Sequence, residues 1–459
     1  MNSIFERAQE SLIKTWIDKD ERCPLLIDGA RQVGKSFLIN EIIAPKYYRR
    51  VLKLDFMKNP EVEAIFEEGL SPEKILKNAQ LLTGQEFDLE KDLLFFEEVG
   101  CSQKALTSLK FFAEDAANIH LIATGSNIGL MKSFPVGKTQ RINMYPLTFV
   151  EFLKASEQKM LVKYVEQPLN EKISEIAHKK LMAVLLDYFF VGGMPAVVKQ
   201  WLSISETNPI PRIKAVREKQ TLLLTDYRDD FGKYSAEDKT NTLHIEKIYN
   251  NMPNQIMDSQ DEQLPKFKFK GVIGKRNTSY ENLSGPIGFL EKTNLISKLG
   301  LLETENKDFP HSILVKENAF KLVPHDVGLL SAMVNLSYQE IRTASSSYKG
   351  FIAETFVLNE MKSAIGMPNE NKFYAFKSPS IGEVEFVLSM GGVNNLIPVE
   401  VKSGTNHKAK SLTKFVNIMK PTKAYKLTGK LVNNNPDRIL QQLPLYKART
   451  MYLELTAST

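Results

Sequence analysis

Short apolar runs alternate with amphipathic stretches over roughly the first third of the chain. Each run is bounded by polar or turn-forming residues and predicts a buried strand, while apolar positions at helical spacing predict helices between the runs. Strands that alternate with helices form a parallel sheet with helices on both faces. The predicted strands are 23–28, 48–56, 92–96 and 119–124, and the predicted helices are 1–17, 37–43, 61–80 and 104–117.

The pattern changes after Pro146 and becomes mostly helical. Residues 147–201 read as helix with an interruption at 192–195, and the proline-containing stretch 203–212 reads as a linker or long loop. Helical pattern resumes to about residue 234. Three helical stretches and an apolar strand at 295–304 then outline a small helical domain with a hairpin wing, and a final α/β unit has a helix at 350–363 and strands at 372–377, 383–390 and 396–401.

Length and composition fit a globular protein of about two to four domains. Of the 459 residues, 43% are hydrophobic and 25% are charged, which excludes disorder over most of the chain. The net charge of +6 permits nucleic acid as a partner without requiring it. The two cysteines, Cys23 and Cys101, lack metal-ligand spacing, so we expect buried, reduced thiols.

The sequence also predicts where in the cell the protein is found. The first 17 residues are interrupted by charges and do not resemble a signal peptide. The most apolar stretch, 181–198, contains Asp187, Gly192 and Pro195 and therefore predicts a core helix followed by a turn. We expect a soluble, cytoplasmic protein with no membrane partner.

Residues 29–36 fit the phosphate-loop pattern G-x-x-x-x-G-K-[ST], between a predicted strand and a predicted helix. In such a loop the backbone N–H groups surround the phosphates, Lys35 reaches the β- and γ-phosphates, and Ser36 ligates Mg²⁺. We therefore predict ATP and Mg²⁺ as cofactors. The predicted ATP-binding residues are Gly29, Ala30, Arg31, Gln32, Val33, Gly34, Lys35 and Ser36.

Two acidic residues, Glu97 and Glu98, follow a run of apolar residues and should lie at the carboxyl end of the third strand, where α/β sheets bind ligands. Glu97 is the predicted Mg²⁺ ligand, and Glu98 is predicted to orient and deprotonate the attacking water. Ser126 follows the next strand, and its hydroxyl is predicted to sense the γ-phosphate. A plain turn from strand to loop is the alternative at Ser126.

Together these motifs resemble the prokaryotic AAA-type ATPases in which an AAA module is fused to a C-terminal domain of uncharacterised function. The resemblance covers essentially the whole chain and implies ATP hydrolysis. Segments that carry it are 29–36, 93–98, 124–126, 145–152, 192–195, 325–330, 350–354, 383–386 and 398–404.

Two departures from the family pattern matter for catalysis. The usual Asp-Glu pair is Glu97-Glu98 here, so the metal ligand is one methylene longer and turnover is expected to be slow. The Gly-Arg pair of the family is Gly137-Lys138, with Arg141 nearby. Arg141 is the first candidate for an arginine finger, and Lys138 is the second.

The last domain carries a second constellation. Strand alternation places Glu400 and Lys402 on one face, near Glu385 on the preceding strand and Glu354 on a helix. Carboxylates that hold a metal beside a lysine are what a Mg²⁺-dependent phosphodiesterase needs. This set is similar to the PD-(D/E)XK nuclease core, with Glu385 in place of its aspartate. A surface ion pair, or an inactive binding platform, is the alternative.

Lysines alternate with aromatic residues at 265–270 and are followed by Lys275 and Arg276, a pattern that could bind phosphates and stack bases. The alternative, which we favour, is that Phe267 and Phe269 belong to a core while the lysines are solvated. We predict an α/β protein with four parts. These are an AAA-like P-loop ATPase domain at 1–155, a helical lid at 156–238, a winged-helix-like module at 239–310 and a nuclease-like domain at 311–459.

The expected function is ATP binding and hydrolysis coupled to action on DNA. The first alternative is an ATP-dependent switch of a protein partner, with an inactive nuclease-like scaffold domain. A module that binds ATP without hydrolysing it is the second alternative, suggested by Glu97. A homo-oligomer is also a candidate assembly.

Overall fold

A computed structural model of the protein describes most of the chain in two compact units. The first unit extends to Tyr145 and includes Lys292–Asn294, and the second contains most of the chain from Pro146 onward. The residues described are 5–207, 209–232, 239–261, 267–269, 272–273, 279–303, 305, 315–343, 347–364, 372–390, 395–402, 410–432, 435 and 437–457.

The first unit is built on a parallel sheet, as predicted, but the sheet has five strands rather than the four predicted, in the order β2-β3-β4-β1-β5. Every residue of β3 is buried, because its run of apolar side chains packs between layers on both faces. The last strand was not predicted, since only Ile142 within it is buried. The strands are β1 (Leu25–Asp28), β2 (Arg50–Asp55), β3 (Asp92–Glu97), β4 (Leu121–Gly125) and β5 (Gln140–Asn143).

The helices of the first unit depart from prediction at three places. The predicted helix 1–17 begins only at Gln9 among the described residues, which start at Phe5. The helix after the phosphate loop was expected to stop before Pro45 but continues to Tyr47. It continues because a π-helical stretch replaces the usual α-helical hydrogen bonds just before the proline. The predicted helix 61–80 is two helices, separated at Gly69 with φ 128°. The helices are Gln9–Ile17, Lys35–Phe37, Leu38–Ile43 (π), Ala44–Tyr47, Pro60–Phe66 (3₁₀), Pro72–Thr83, Val99–Cys101 (3₁₀), Gln103–Asp115 and Ile128–Leu130 (3₁₀).

The second unit contains a seven-stranded mixed sheet, ordered β12-β11-β10-β9-β8-β6-β7. The strands β8, β9 and β10 are antiparallel, whereas β10, β11 and β12 run parallel. The strands are β6 (Ile296–Leu302), β7 (Phe320–Pro324), β8 (Lys372–Ser378), β9 (Gly382–Ser389), β10 (Leu396–Lys402), β11 (Ala424–Thr428) and β12 (Leu440–Pro444).

The strand predicted as part of a wing, β6, pairs antiparallel with β7 and parallel with β8. The hairpin is therefore hydrogen-bonded into the same sheet as the predicted nuclease-like strands. The division of this unit into a lid, a winged-helix-like module and a nuclease-like domain stays a prediction.

Helices make up the rest of the second unit. The prediction of a linker at 203–212 was wrong for its second half, because a helix begins at Pro209. Its two prolines lie in the first turn, where no backbone N–H is needed. The helices are Phe149–Ala155, Lys159–Glu166, Glu175–Val191, Pro195–Ser203, Pro209–Phe231, Lys239–Asp261, Tyr280–Lys292, Val327–Met333, Tyr338–Thr343, Ser347–Ser363, Lys410–Met419, Leu445–Lys447 (3₁₀) and Ala448–Ala457.

Three of the motif segments meet in the second unit. The Asp326 carboxylate accepts hydrogen bonds from the N–H groups of Gly193 at 2.7 Å and Leu329 at 2.8 Å, and the N–H of Leu147 donates to the Gly193 carbonyl at 2.7 Å. A Cβ on Gly193 would lie 2.1 Å from the Leu147 carbonyl oxygen. Glycine is required here because backbone segments pass at contact distance.

Among the described residues, no single helix is long and apolar enough to cross a membrane. The helices Glu175–Val191 and Pro195–Ser203 would qualify only as a pair bent by 119°. The core helix and turn expected at 181–198 are confirmed. The expectation that both cysteines are buried is wrong, because Cys23 is half-buried and Cys101 is exposed at the end of a short 3₁₀ turn.

Candidate functional site

The phosphate loop follows β1 directly and turns through left-handed backbone at Gln32 (φ 64°) and Gly34 (φ 97°). At Gly29 a Cβ would lie only 2.2 Å from the Met144 carbonyl oxygen, so a side chain cannot be placed there. The helix begins at Lys35 immediately after the turn. This combination of tight turn and helix start is what a loop needs to surround phosphates with N–H groups.

Lys35 is buried inside the loop, with 5% of its surface exposed. Its ammonium donates hydrogen bonds to the carbonyls of Gly29 and Ala30, both at 2.9 Å. Burial lowers the pKa of Lys35, and the charges of Glu98 and Asp28 partly offset this effect. The side chain is thus held pointing back over the turn, at the place where the motif requires a cation.

The remaining loop residues differ in exposure. Ala30 and Val33 are buried, Gln32 is exposed, and Arg31 and Ser36 are half-buried. The Val33 carbonyl accepts a hydrogen bond from Arg7 at 2.9 Å, and a second nitrogen of that guanidinium donates to the Tyr145 carbonyl at 2.6 Å. Sequence reasoning missed Arg7, because a single arginine on a surface-like helix pattern carries no signal.

The strand order places β4 between β1 and β3, so the ends of these three strands share one edge of the sheet. Glu98 follows β3 with φ 55°, a conformation that is uncommon for a residue with a side chain. Ser126, just after β4, donates from its hydroxyl to Glu98 Oε2 at 3.4 Å and accepts from Arg31 Nε at 3.3 Å. Three predicted site residues from three segments are therefore joined.

Glu97 ends β3 and is buried. It forms an ion pair with Lys53 on the neighbouring strand, and that ammonium also lies 3.8 Å from Asp55. Lys53 was not predicted, although strand alternation places it on the same face as Asp55. A carboxylate and a hydroxyl, from Glu97 and Ser36, are oxygen donors of the kind that Mg²⁺ prefers.

Both arginine-finger candidates contact acids of the first unit. Arg141, on β5, forms an ion pair with Asp28, and its guanidinium lies 5.4 Å from the ring centre of Phe134. Lys138 pairs with Glu114 at 3.0 Å. The strand that holds Arg141 is adjacent to β1.

In the second unit, three of the four predicted C-terminal residues are in direct contact. The Lys402 ammonium lies 2.8 Å from Oε1 of Glu385 and 2.8 Å from Oε1 of Glu400, and Val401 N–H donates to Glu385 Oε2 at 3.2 Å. Burial, together with the charge of Glu385, raises the pKa of Glu400 to about 8. These three side chains are therefore in contact, and their role as a nuclease-like site stays a prediction.

The fourth predicted residue, Glu354, belongs to the helix Ser347–Ser363 and pairs with a lysine that sequence reasoning missed. Lys321, on β7, lies 3.9 Å from Glu354 and 3.1 Å from Glu383. Burial raises the pKa of Glu354 to about 7, with a further contribution from Glu385. We call these six residues the Glu-Lys cluster: Lys321, Glu354, Glu383, Glu385, Glu400 and Lys402.

Within the part of the chain that the structure describes, no group of three or more His, Cys, Asp or Glu side chains is arranged to hold a metal ion. The Glu-Lys cluster is no exception, because its two ammonium groups lie among the carboxylates. The four carboxylates lie near one another, but each is paired with one of the two lysine ammonium groups.

The aromatic residues of the basic segment belong to a core. Phe267 is 4% exposed and stacks on Phe320 with ring centres 5.6 Å apart, while Phe269 contacts the edges of Phe320 and Tyr280. The described aromatic side chains of this segment therefore pack in a core, which agrees with the alternative to base stacking given above. Pro265, Lys266, Lys270, Lys275 and Arg276 lie outside the described residues.

Comparison with known families agrees with the geometry of the first unit. Residues 21–153 match the model of an AAA domain. Residues 182–340 and 349–447 match two domains of unknown function, DUF8612 and DUF4143 respectively. No curated protein matches the chain. The N-terminal part therefore carries an AAA domain of the P-loop ATPase family. This domain suggests nucleotide binding and ATPase activity. The chain also carries a C-terminal DUF4143 domain.

Proposed function

We propose that the protein binds ATP with Mg²⁺ and hydrolyses it at the edge of the first sheet. The observation that carries this proposal is the position of Lys35. Its buried ammonium lies 2.9 Å from two carbonyls of the loop that would surround the phosphates. A bound triphosphate would replace these neutral carbonyls as the partner of the ammonium, and a hydrogen bond between two charged groups is the stronger interaction.

The other residues take separate roles around the γ-phosphate. Glu98 accepts the proton of the attacking water and orients it, and Ser126 holds the Glu98 carboxylate through its hydroxyl. Ser36 and Glu97 would hold Mg²⁺, which neutralises charge on the phosphate oxygens when bound. Loop N–H groups stabilise the remaining negative charge.

A nucleotide-binding and turnover experiment tests this proposal. Binding of a fluorescent ATP analogue and phosphate release are measured for the full chain, for Lys35→Ala and for the control Lys77→Ala, which changes an exposed lysine of the same unit. We expect Lys35→Ala to abolish hydrolysis and the control to behave as wild type. Intact ATP binding without phosphate release from the wild type would support the non-hydrolysing alternative.

DNA is the partner we propose for this ATPase. The support is the order of elements in the second unit: a helix, the three antiparallel strands β8 to β10, a helix Lys410–Met419 and the parallel strand β11. That order is consistent with a nuclease-like core. The test is ATP turnover with and without duplex and single-stranded DNA. If neither duplex nor single-stranded DNA changes ATP turnover, this part of the proposal is contradicted.

One observation favours the alternative, an ATP-dependent switch of a protein partner with an inactive scaffold domain. Lys402 is bonded to both Glu385 and Glu400, so both acids are engaged by a cation of the chain itself. Under this alternative, DNA leaves turnover unchanged and Mg²⁺ or Mn²⁺ produces no nicking of plasmid DNA.

A further inference from the structure

The Glu-Lys cluster contains a lysine from an unexpected element. Lys321 lies on β7, well before the helix and strands that supply the acids, and its side chain is only 12% exposed. Burial alone would lower the pKa of Lys321, but the charges of Glu354 and Glu383 outweigh burial and raise it. The group is therefore a charged ammonium inside an acidic cluster.

The two lysines divide the four carboxylates between them. Lys402 contacts Glu385 and Glu400, while Lys321 contacts Glu383 and lies 3.9 Å from Glu354. The charge of Glu385 also acts on Lys321, so the two pairs adjoin. Glu400 keeps one oxygen, Oε2, that is buried without a hydrogen-bond partner. A buried acceptor without a hydrogen bond therefore lies on the Lys402 side of the cluster.

A divalent cation would need the same oxygens that these ammonium groups contact. Mg²⁺ and Mn²⁺ bind carboxylate oxygens at distances near 2 Å, so a metal ion and an ammonium cannot both occupy the space between two carboxylates. Like charges brought together in a buried site also repel strongly. Two lysines among four acids therefore oppose metal binding by both space and charge.

We propose that Lys321 is a resident cation that occupies the position between Glu354 and Glu383, so that these two carboxylates bind no divalent metal until Lys321 is removed. Lys321 then excludes divalent metal from this position and stabilises the fold through its ion pairs. The inference rests on the geometry of the second unit and is independent of the proposed ATP hydrolysis.

The experiment measures Mn²⁺ binding to the full chain without nucleotide, by calorimetry and by the loss of the free-Mn²⁺ signal in electron paramagnetic resonance. The variant Lys321→Met removes the ammonium and keeps an apolar stem of similar length. The control Lys316→Met changes an exposed lysine near the same strand. Adding Glu354→Gln to Lys321→Met locates any site that is gained, because Glu354 is one of the two carboxylates beside Lys321.

We expect Lys321→Met to bind one Mn²⁺ at least about tenfold more tightly than wild type, a scale typical of changes around a metal site. Glu354→Gln should remove this gain, and Lys316→Met should show none. If wild type itself binds a Mn²⁺ that Glu354→Gln abolishes, the inference is overturned. It is equally overturned if Lys321→Met gains no site while its circular dichroism and melting match wild type.

Should Lys321→Met fail to fold, Lys321→Gln provides the same test, because its amide can donate hydrogen bonds to Glu354 and Glu383 and keeps both carboxylates in place. A gain of Mn²⁺ affinity in that variant supports the inference, and no gain contradicts it. Lys35→Ala should leave every one of these results unchanged. This keeps the outcome separate from that of the ATPase proposal.

Discussion

The Ser126 hydroxyl donates to Oε2 of Glu98 across 3.4 Å and joins the ends of two neighbouring strands. Arg31 in the phosphate loop donates to the same hydroxyl at 3.3 Å. The loop that would hold the phosphates is therefore connected, through one serine, to the carboxylate that would activate water. This connection gives the proposed mechanism its first tests.

Replacing Glu98 by glutamine should separate binding from hydrolysis. Glutamine keeps the size of the side chain but cannot accept a proton, so we expect phosphate release to fall by about 10²- to 10⁴-fold while ATP binding stays near wild type. Phosphate release and binding of a fluorescent ATP analogue measure the two quantities. Glu90→Gln is the control, since Glu90 is exposed. Wild-type turnover in Glu98→Gln would exclude Glu98 as the base.

Replacing Ser126 by alanine should leave the base in place but less well oriented. A hydrogen bond to a charged group contributes about 1.5–3 kcal/mol, so we expect kcat to fall by about tenfold or more with little change in KM. Steady-state kinetics distinguish this from a loss of nucleotide affinity. An increase in KM at unchanged kcat would show that Ser126 binds substrate instead.

The ion pair between Lys53 and Glu97 predicts an effect on the Mg²⁺ requirement. Mg²⁺ must compete with the Lys53 ammonium for Glu97, so Lys53→Met should lower the Mg²⁺ concentration that half-saturates nucleotide binding by roughly two- to fivefold, the scale of a partly exposed ion pair. Titration of nucleotide binding with Mg²⁺ measures this. Lys58→Met, which changes an exposed lysine, should have no effect. A higher Mg²⁺ requirement in Lys53→Met would contradict the competition.

Glu360 predicts a pH dependence of stability in the second unit. The side chain is 3% exposed, accepts a hydrogen bond from Phe149 N–H at 2.7 Å, and has its pKa raised by burial to about 7. A carboxyl with a raised pKa in the fold contributes stability below its unfolded pKa of about 4.3 and loses it as the pH rises toward 7.

Glutamine at position 360 keeps an acceptor for Phe149 and does not ionise. We therefore expect Glu360→Gln to lose less thermal stability than wild type between about pH 5 and pH 8. Melting temperatures across this pH range test the prediction, with the exposed Glu175→Gln as control. Parallel curves for wild type and Glu360→Gln would show that Glu360 does not titrate in this range.

The core strands and the phosphate loop were predictable because their signals are local. Apolar runs such as β3 are buried on both faces, and the loop pattern stands between a strand and a helix. By contrast, β5 escaped prediction because it is mostly polar at the sheet edge. Pro209 was misread as part of a linker, since a proline in a first helical turn looks like one in a loop.

The site residues that were missed share one property. Arg7, Lys53 and Lys321 each contact groups that lie far away in the sequence or on another strand, and none belongs to a recognisable motif. A single cation in a chain with 60 lysine and arginine residues carries no positional signal. Their partners could be identified only from the structure, in which each sheet places its own strands side by side.

The most direct test of the proposed ATPase is phosphate release by the full chain with Mg²⁺-ATP, compared between wild type and Lys35→Met. Methionine keeps the stem of the buried side chain but removes the ammonium held by Gly29 and Ala30. The account predicts measurable turnover in wild type and a loss of about 10²- to 10³-fold or more in the variant. Equal turnover in both proteins would contradict it.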